Sequence, residues 1–114
     1  MKLVTLVSGG IDSTLMSVMA KEQNFELYPL FIDYGQLGSQ LEWQSCVYNH
    51  KKHNLPAPKK LSVPRIGSLI HSGLTDKKLR IREDAFLPGR NTFFLVTAGS
   101  YAYQLNCKNI AIGL

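Results

Sequence analysis

Lys2-Leu3-Val4-Thr5-Leu6-Val7-Ser8-Gly9-Gly10-Ile11-Asp12-Ser13-Thr14 is the stretch from which the rest of the chain can be read. Lys2 to Val7 is a short run rich in Val, Leu and Thr, the pattern of a parallel strand buried on both faces. Leu15, Val18 and Met19 follow at i, i+3 and i+4, which predicts one apolar helical face. Ser8 to Thr14 therefore turns a strand into a helix. Its adjacent glycines let the backbone approach a ligand closely and reach angles other residues resist. Asp12, Ser13 and Thr14 offer a helix N-cap and hydroxyl donors. The first amides of a helix lack intrahelical partners, and the positive end of its dipole points the same way. Such a terminus suits a phosphate or a pyrophosphate.

The loop has neither the GxxxxGK[ST] spacing of a Walker loop nor the GxGxxG of dinucleotide-binding folds. On its glycines alone it is a tight, well-capped βα turn. At 114 residues one domain is expected, burying ~65% of its unfolded surface. No apolar run approaches the ~20 residues of a membrane helix, and the N-terminus lacks a signal-peptide pattern. A cytoplasmic protein away from membranes is the expectation. The formal charge of +5 favours anionic partners without choosing between nucleotides and nucleic acid. Cys46 and Cys107 form no CxxC pair, so no zinc site is read and two buried thiols are expected.

Outward from the loop, the first helix is expected from about Ser13 to Glu22, with Asn24 near its end. Leu27 to Ile32 reads as a second strand closing on Asp33-Tyr34-Gly35, with Pro29 suited to its beginning. Strand, helix and strand predict a right-handed βαβ unit whose ligands gather at the carboxyl ends, where Ser8 and Asp33 stand. From Gln36 to His53 the pattern is helical, with Leu37, Leu41, Gln44 and Tyr48 in one row and Trp43 and Val47 in another. His50 and His53 have a possible metal spacing, but Lys51 and Lys52 between them point to a solvated helix end. Lys59 to Val63 reads as a third strand. Between Pro64 and Leu87, the basic run Lys77 to Arg82 reads as a solvated loop or edge strand, a flap touching a polyanion being the alternative. Pro88-Gly89 makes a turn and Asn91 an N-cap. Phe94, Ala98, Tyr101 and Leu105 mark a helical stripe, flanked by Leu95 and Ala102. Gly99 within it costs about 1 kcal/mol relative to Ala, so close packing on a neighbour is expected there. Asn109 to Gly113 reads as another buried parallel strand. The fold class is α/β, a parallel sheet with helices on both faces.

Ser8-Gly9-Gly10-Ile11-Asp12-Ser13 directly after a strand resembles the pyrophosphate loop (PP-loop) of the N-type ATP pyrophosphatases, which split ATP between its α and β phosphates and adenylate a substrate. Four later strings join it in order: Asp33-Tyr34-Gly35-Gln36, Ser72-Gly73-Leu74-Thr75, Pro88-Gly89-Arg90-Asn91 and Ile112-Gly113. Together they are similar to the 7-cyano-7-deazaguanine synthase family across the whole chain. The resemblance implies an adenine nucleotide alpha hydrolase-like, Rossmann-like fold. It implies a ligase that converts 7-carboxy-7-deazaguanine and ammonia to the nitrile through an adenylated intermediate, on the route to queuosine. ATP and Mg2+ are the implied cofactors, and nucleic acid is not an expected partner. Val7, Ser8, Gly9, Gly10, Ile11, Asp12, Ser13 and Thr14 are the implied nucleotide-binding residues, with Asp33 and Gly113 at the ends of neighbouring strands. Asp12, near the magnesium, and Arg90 are the expected catalytic residues, Arg90 neutralising charge on the phosphates or the adenylate.

Two departures accompany the resemblance. After Gln36 the family carries Arg-His, where Leu37-Gly38 stand here. The family also continues past the Ile-Gly strand into a substrate-binding and zinc-cysteine region, so zinc is expected for the family while its cysteines have no counterpart in these residues. Residues 1–114 are accordingly expected to form the nucleotide-binding domain, its site completed by a homodimer partner or a second chain. Two alternatives stand beside this reading. One is a tRNA-modifying adenylating enzyme, which the run Lys77 to Arg82 favours, although the lack of paired cysteines opposes sulfur transfer. The other is a non-catalytic ATP- or AMP-binding module.

Overall fold

Side chains alternate along the first strand, so a continuous apolar run must find cover on both sides of its sheet. The computed structural model, which describes residues 1–63 and 90–113, shows that cover. The elements are β1 (Lys2–Leu6), α1 (Ile11–Glu22), β2 (Glu26–Asp33), α2 (Ser39–Lys52), β3 (Lys59–Ser62), α3 (Arg90–Gln104) and β4 (Ile110–Ile112). Leu3 and Leu27 pack with Ala20 of α1 and Leu55, while Val7 and Phe31 pack with Cys46 and Trp43 of α2. On the opposite face Val4, Leu6, Leu30 and Ile32 meet Ala98 and Ala102 of α3. The expected α/β class, with helices on both faces, is the one that forms. The basic run Lys77 to Arg82, the string Ser72 to Thr75 and the turn Phe86 to Gly89 lie outside the described residues.

The sheet order is β3-β2-β1-β4, and every neighbouring pair is parallel. The chain steps outward from β1 through β2 to β3, then returns by α3 to the far side of β1. That reversal makes the carboxyl ends of β1 and β4 the topological switch point, where parallel α/β sheets open a ligand crevice. Pro29 sits inside β2, opposite Thr5, and not at its beginning. Val7 N–H donates to Leu30 O at 3.0 Å, so Leu30 faces β1 and Pro29, by alternation, faces the other way. Pairing on that side starts only at Leu30 opposite Lys59, so the missing proline N–H interrupts no ladder.

The three helices among the described residues end alike. Asn24, Asn54 and Asn106 take left-handed backbone angles, with φ of 66°, 53° and 54°. In each case the next amide reaches back five residues: Phe25 to Ala20, Leu55 to His50 and Cys107 to Ala102, at 3.2, 2.8 and 2.9 Å. This is the Schellman exit, in which an apolar residue just past the turn folds back onto the structure.

The α3 stripe Phe94, Ala98, Tyr101 and Leu105 packs on the sheet as expected, but the faces of α1 and α2 differ from expectation. In α1 the buried residues are Ser13, Ser17 and Ala20, whereas Leu15 and Met19 are 55% and 51% exposed. Small side chains let the helix lie close on the sheet, and the Ser17 hydroxyl is satisfied by Ser13 O at 2.9 Å. The row Leu37, Leu41, Gln44 and Tyr48 is exposed, Leu37 lying before α2, and within α2 Cys46 and His50 face inward. His50 is not on a solvated helix end: it is 1% exposed, with Nδ1 2.8 Å from Pro56 O. Both thiols are buried as expected, and burial pushes Cys46 up to about 12. Gly99 is not tightly packed either, since among the described residues a Cβ there would meet only Ile110 Cδ1, at 4.0 Å. Among the described residues no helix is long and apolar enough to cross a membrane.

Candidate functional site

The chain leaves the sheet at Ser8, directly at the switch point. Ser8 N–H donates to Ser13 Oγ at 2.9 Å, and the Ser13 hydroxyl donates back to Ser8 O at 3.2 Å. Gly10 N–H donates to Ser8 Oγ at 3.2 Å, and the Thr14 hydroxyl donates to Gly10 O at 3.1 Å. The helix begins at Ile11, two residues earlier than expected, and its N-cap is Gly10, with no side-chain cap bond. Asp12, Ser13 and Thr14 therefore lie inside the first turn, not before it. Without a capping side chain, the first amides of α1 stay open to a ligand.

The glycines of the loop divide by cause. Gly10 has φ −83° and ψ 165°, ordinary extended backbone, and among the described residues a Cβ there would meet only Ser8 Oγ at 3.4 Å. A Cβ on Gly9 would stand 2.8 Å from Glu42 O and 3.1 Å from Ser45 Cβ, because α2 presses on the loop. One on Gly113 would stand 3.0 Å from Ser13 Cα and 3.1 Å from Ser13 N. Thus Gly9 and Gly113 owe their identity to close backbone approach, and Gly10 does not.

A cavity of about 240 Å³ opens beside the loop. Of the expected residues, Val7, Ser8, Arg90 and Gly113 line it; Gly9, Gly10, Ile11, Asp12, Ser13, Thr14 and Asp33 do not. Ile11 and Asp12 are solvent-exposed on the first turn of α1. Asp33 closes β2, where its Oδ1 accepts Gly35 N–H at 3.0 Å and Gly35 takes a φ of 84°, so that turn needs its glycine. Arg90 is the first residue of α3, which places Asn91 within the helix. Its Cζ lies 5.9 Å from the centre of the Phe94 ring, and that ring is tilted against Tyr34 at 5.5 Å. Burial raises the Tyr34 hydroxyl pKa, and the nearby Arg90 guanidinium pulls it the other way.

Tyr34, Gln36, Glu42 and Phe94 also line the cavity and were not among the expected site residues. Gln36 belonged to a recognised string but reads in sequence as the start of a helix. In the fold its side chain is buried, accepting Tyr34 N–H at 2.9 Å. The available signal for Glu42 was its place one turn into the helix that follows the second strand. Phe94 reads as core because its stripe is apolar. Among the described residues no three His, Cys, Asp or Glu side chains come together as a metal-holding group.

The family model for queuosine biosynthesis protein QueC matches residues 2–114. The 7-cyano-7-deazaguanine synthase of Oceanobacillus iheyensis is 31% identical over 121 residues, covering 99% of this chain and 54% of that protein. Its counterpart in Ruthia magnifica subsp. Calyptogena magnifica is 36% identical over 126 residues, covering 99% and 52%. The 7-cyano-7-deazaguanine synthase 1 of Desulfitobacterium hafniense is 34% identical over 121 residues, covering 99% and 55%. The chain spans about half the length of the curated relatives it matches. With the family pattern running from residue 2 to residue 114, through the switch-point loop and the strand that faces it, this chain belongs to the queuosine biosynthesis protein QueC family.

Proposed function

We propose that this chain carries the nucleotide-binding part of an ATP-dependent ligase that converts 7-carboxy-7-deazaguanine and ammonia to 7-cyano-7-deazaguanine. One observation carries the reading: Ser8, which leads into the uncapped start of α1, and Arg90 line the same crevice, at the carboxyl ends of β1 and β4. Open amides at a helix start attract phosphate oxygens, and Arg90 supplies a planar fork for the charge that develops as the substrate carboxylate attacks the α phosphate. Pyrophosphate leaves, ammonia displaces AMP from the acyl adenylate, and a second activation removes the amide oxygen.

The donors present suit magnesium, which usually takes one or two carboxylates together with substrate phosphates. The exposed Asp12 carboxylate on the first turn and the Asp33 carboxylate at the end of β2 are the residues that would hold it. The ion would offset phosphate charge. Tyr34 and Phe94 give the crevice an aromatic wall, suited to a planar base.

Calorimetric titration with Mg-ATP tests the reading. The chain should bind at one site. Arg90→Lys, which keeps the charge but loses the fork, should weaken binding by about tenfold with the melting temperature little changed. A large loss of stability with affinity intact would make Arg90 structural, and no uptake of Mg-ATP by the unaltered chain would overturn the reading.

A further inference from the structure

A loop that holds an anion must keep its carbonyl oxygens turned away, because an oxygen aimed at a phosphate repels it. Here three successive carbonyls are tied into the chain. Ser8 O accepts the Ser13 hydroxyl at 3.2 Å, Gly9 O accepts the Ser45 hydroxyl at 3.3 Å, and Gly10 O accepts the Thr14 hydroxyl at 3.1 Å. Ser13 is only 1% exposed, and its oxygen also accepts Ser8 N–H at 2.9 Å. Ser45 lies 36 residues from Gly9, on the stretch of α2 that already presses on that glycine. Ser13 and Ser45 thus grip adjacent peptide groups from two different helices.

We propose that Ser13 and Ser45 are positioning residues of the nucleotide site. Their hydroxyls turn the Ser8 and Gly9 carbonyls into the fold, so that those oxygens do not face a phosphate chain held at the open amides of α1. The role rests on the nucleotide reading above and deepens it. Ser13 acts through the backbone of Ser8, which takes both hydrogen bonds of its hydroxyl. Ser45, outside the loop's sequence pattern, makes the seating of α2 a condition of phosphate affinity.

The test uses the 114-residue chain labelled with 15N, as wild type, Ser13→Ala and Ser45→Ala, titrated with Mg-pyrophosphate, Mg-ATP and adenosine. Before any ligand is added, Ser13→Ala should move the Ser8 amide signal and speed its hydrogen exchange by about tenfold, with β1 amides unchanged. Each substitution should weaken pyrophosphate and ATP by about three- to tenfold and leave adenosine within about twofold. Ser45→Thr, which keeps the hydroxyl, should recover most of the loss. If Ser13→Ala does not fold, Ser45→Ala and its rescue make the same comparison. Unchanged pyrophosphate affinity in the folded variants would overturn the positioning role, as would equal loss for adenosine. Weakened pyrophosphate with an undisturbed Ser8 amide would overturn it by making Ser13 a direct ligand. A wild-type chain that takes up neither pyrophosphate nor ATP would overturn the nucleotide reading and the positioning role together.

Discussion

Gly9 and Gly10 look alike in sequence and answer to different forces. A side chain at Gly9 runs into the backbone of α2, which cannot retreat as a flexible side chain could. Gly9→Ala should therefore cost about 1–3 kcal/mol, the usual cost of overpacking. Gly10→Ala should leave the urea midpoint nearly unchanged, since its backbone angles are ordinary and the space is open. Equal midpoints for the two variants would contradict that division. His50 gives a pH dependence at the same scale. Burial lowers its pKa from 6.5, partly offset by the bond to Pro56 O, and its Nε2 has no partner among the described residues. The unfolded chain takes up a proton as pH falls through the ordinary histidine value, and the folded chain does not. Stability is thus complete above that value and lost as the solution is acidified. The urea midpoint should fall between about pH 7.5 and about pH 5.5, and the fall should be smaller in His50→Gln. A wild-type midpoint that stays flat or rises on acidification would contradict this.

Among the elements, α3 carries the simplest test. Gly99 lies in its interior with nothing among the described residues close to a new methyl group, so Gly99→Ala should stabilise by about 0.5–1 kcal/mol. A lower melting temperature would show that the glycine serves packing after all. Element order was legible because strand and helix signals alternate clearly, and the exits at Asn24 and Asn106 were marked by a residue that tolerates left-handed angles. The inward faces of α1 and α2 were not legible. Periodicity rewards large apolar residues, and in α1 it selects Leu15 and Met19, which face solvent. The side that meets the sheet is built from Ser13, Ser17 and Ala20, small enough for close approach, with the Ser13 and Ser17 hydroxyls bonded to nearby backbone. Hydrophobicity alone ranks such a face as polar.

At the scale of the whole molecule, the reversal of strand order at β1 sets where a ligand can sit. The loop side of that crevice was readable from Ser8 to Thr14, because strand, loop and helix are contiguous in the chain. The opposite wall was not, since Tyr34, Glu42 and Phe94 reach it only when three elements come together. Arg90 was readable because it stands in a recognised turn, and its aromatic support was hidden in an apolar stripe. Nucleotide binding at the switch point is the claim on which the rest depends, and amide mapping of a Mg-ATP titration tests it most directly. The largest saturable shifts should fall on Ser8 to Thr14, Tyr34, Arg90 to Phe94 and Gly113, while β3 and the C-terminal turn of α2 stay still. Shifts centred on β3 or on the far ends of the helices, or no saturable shift at all, would contradict it.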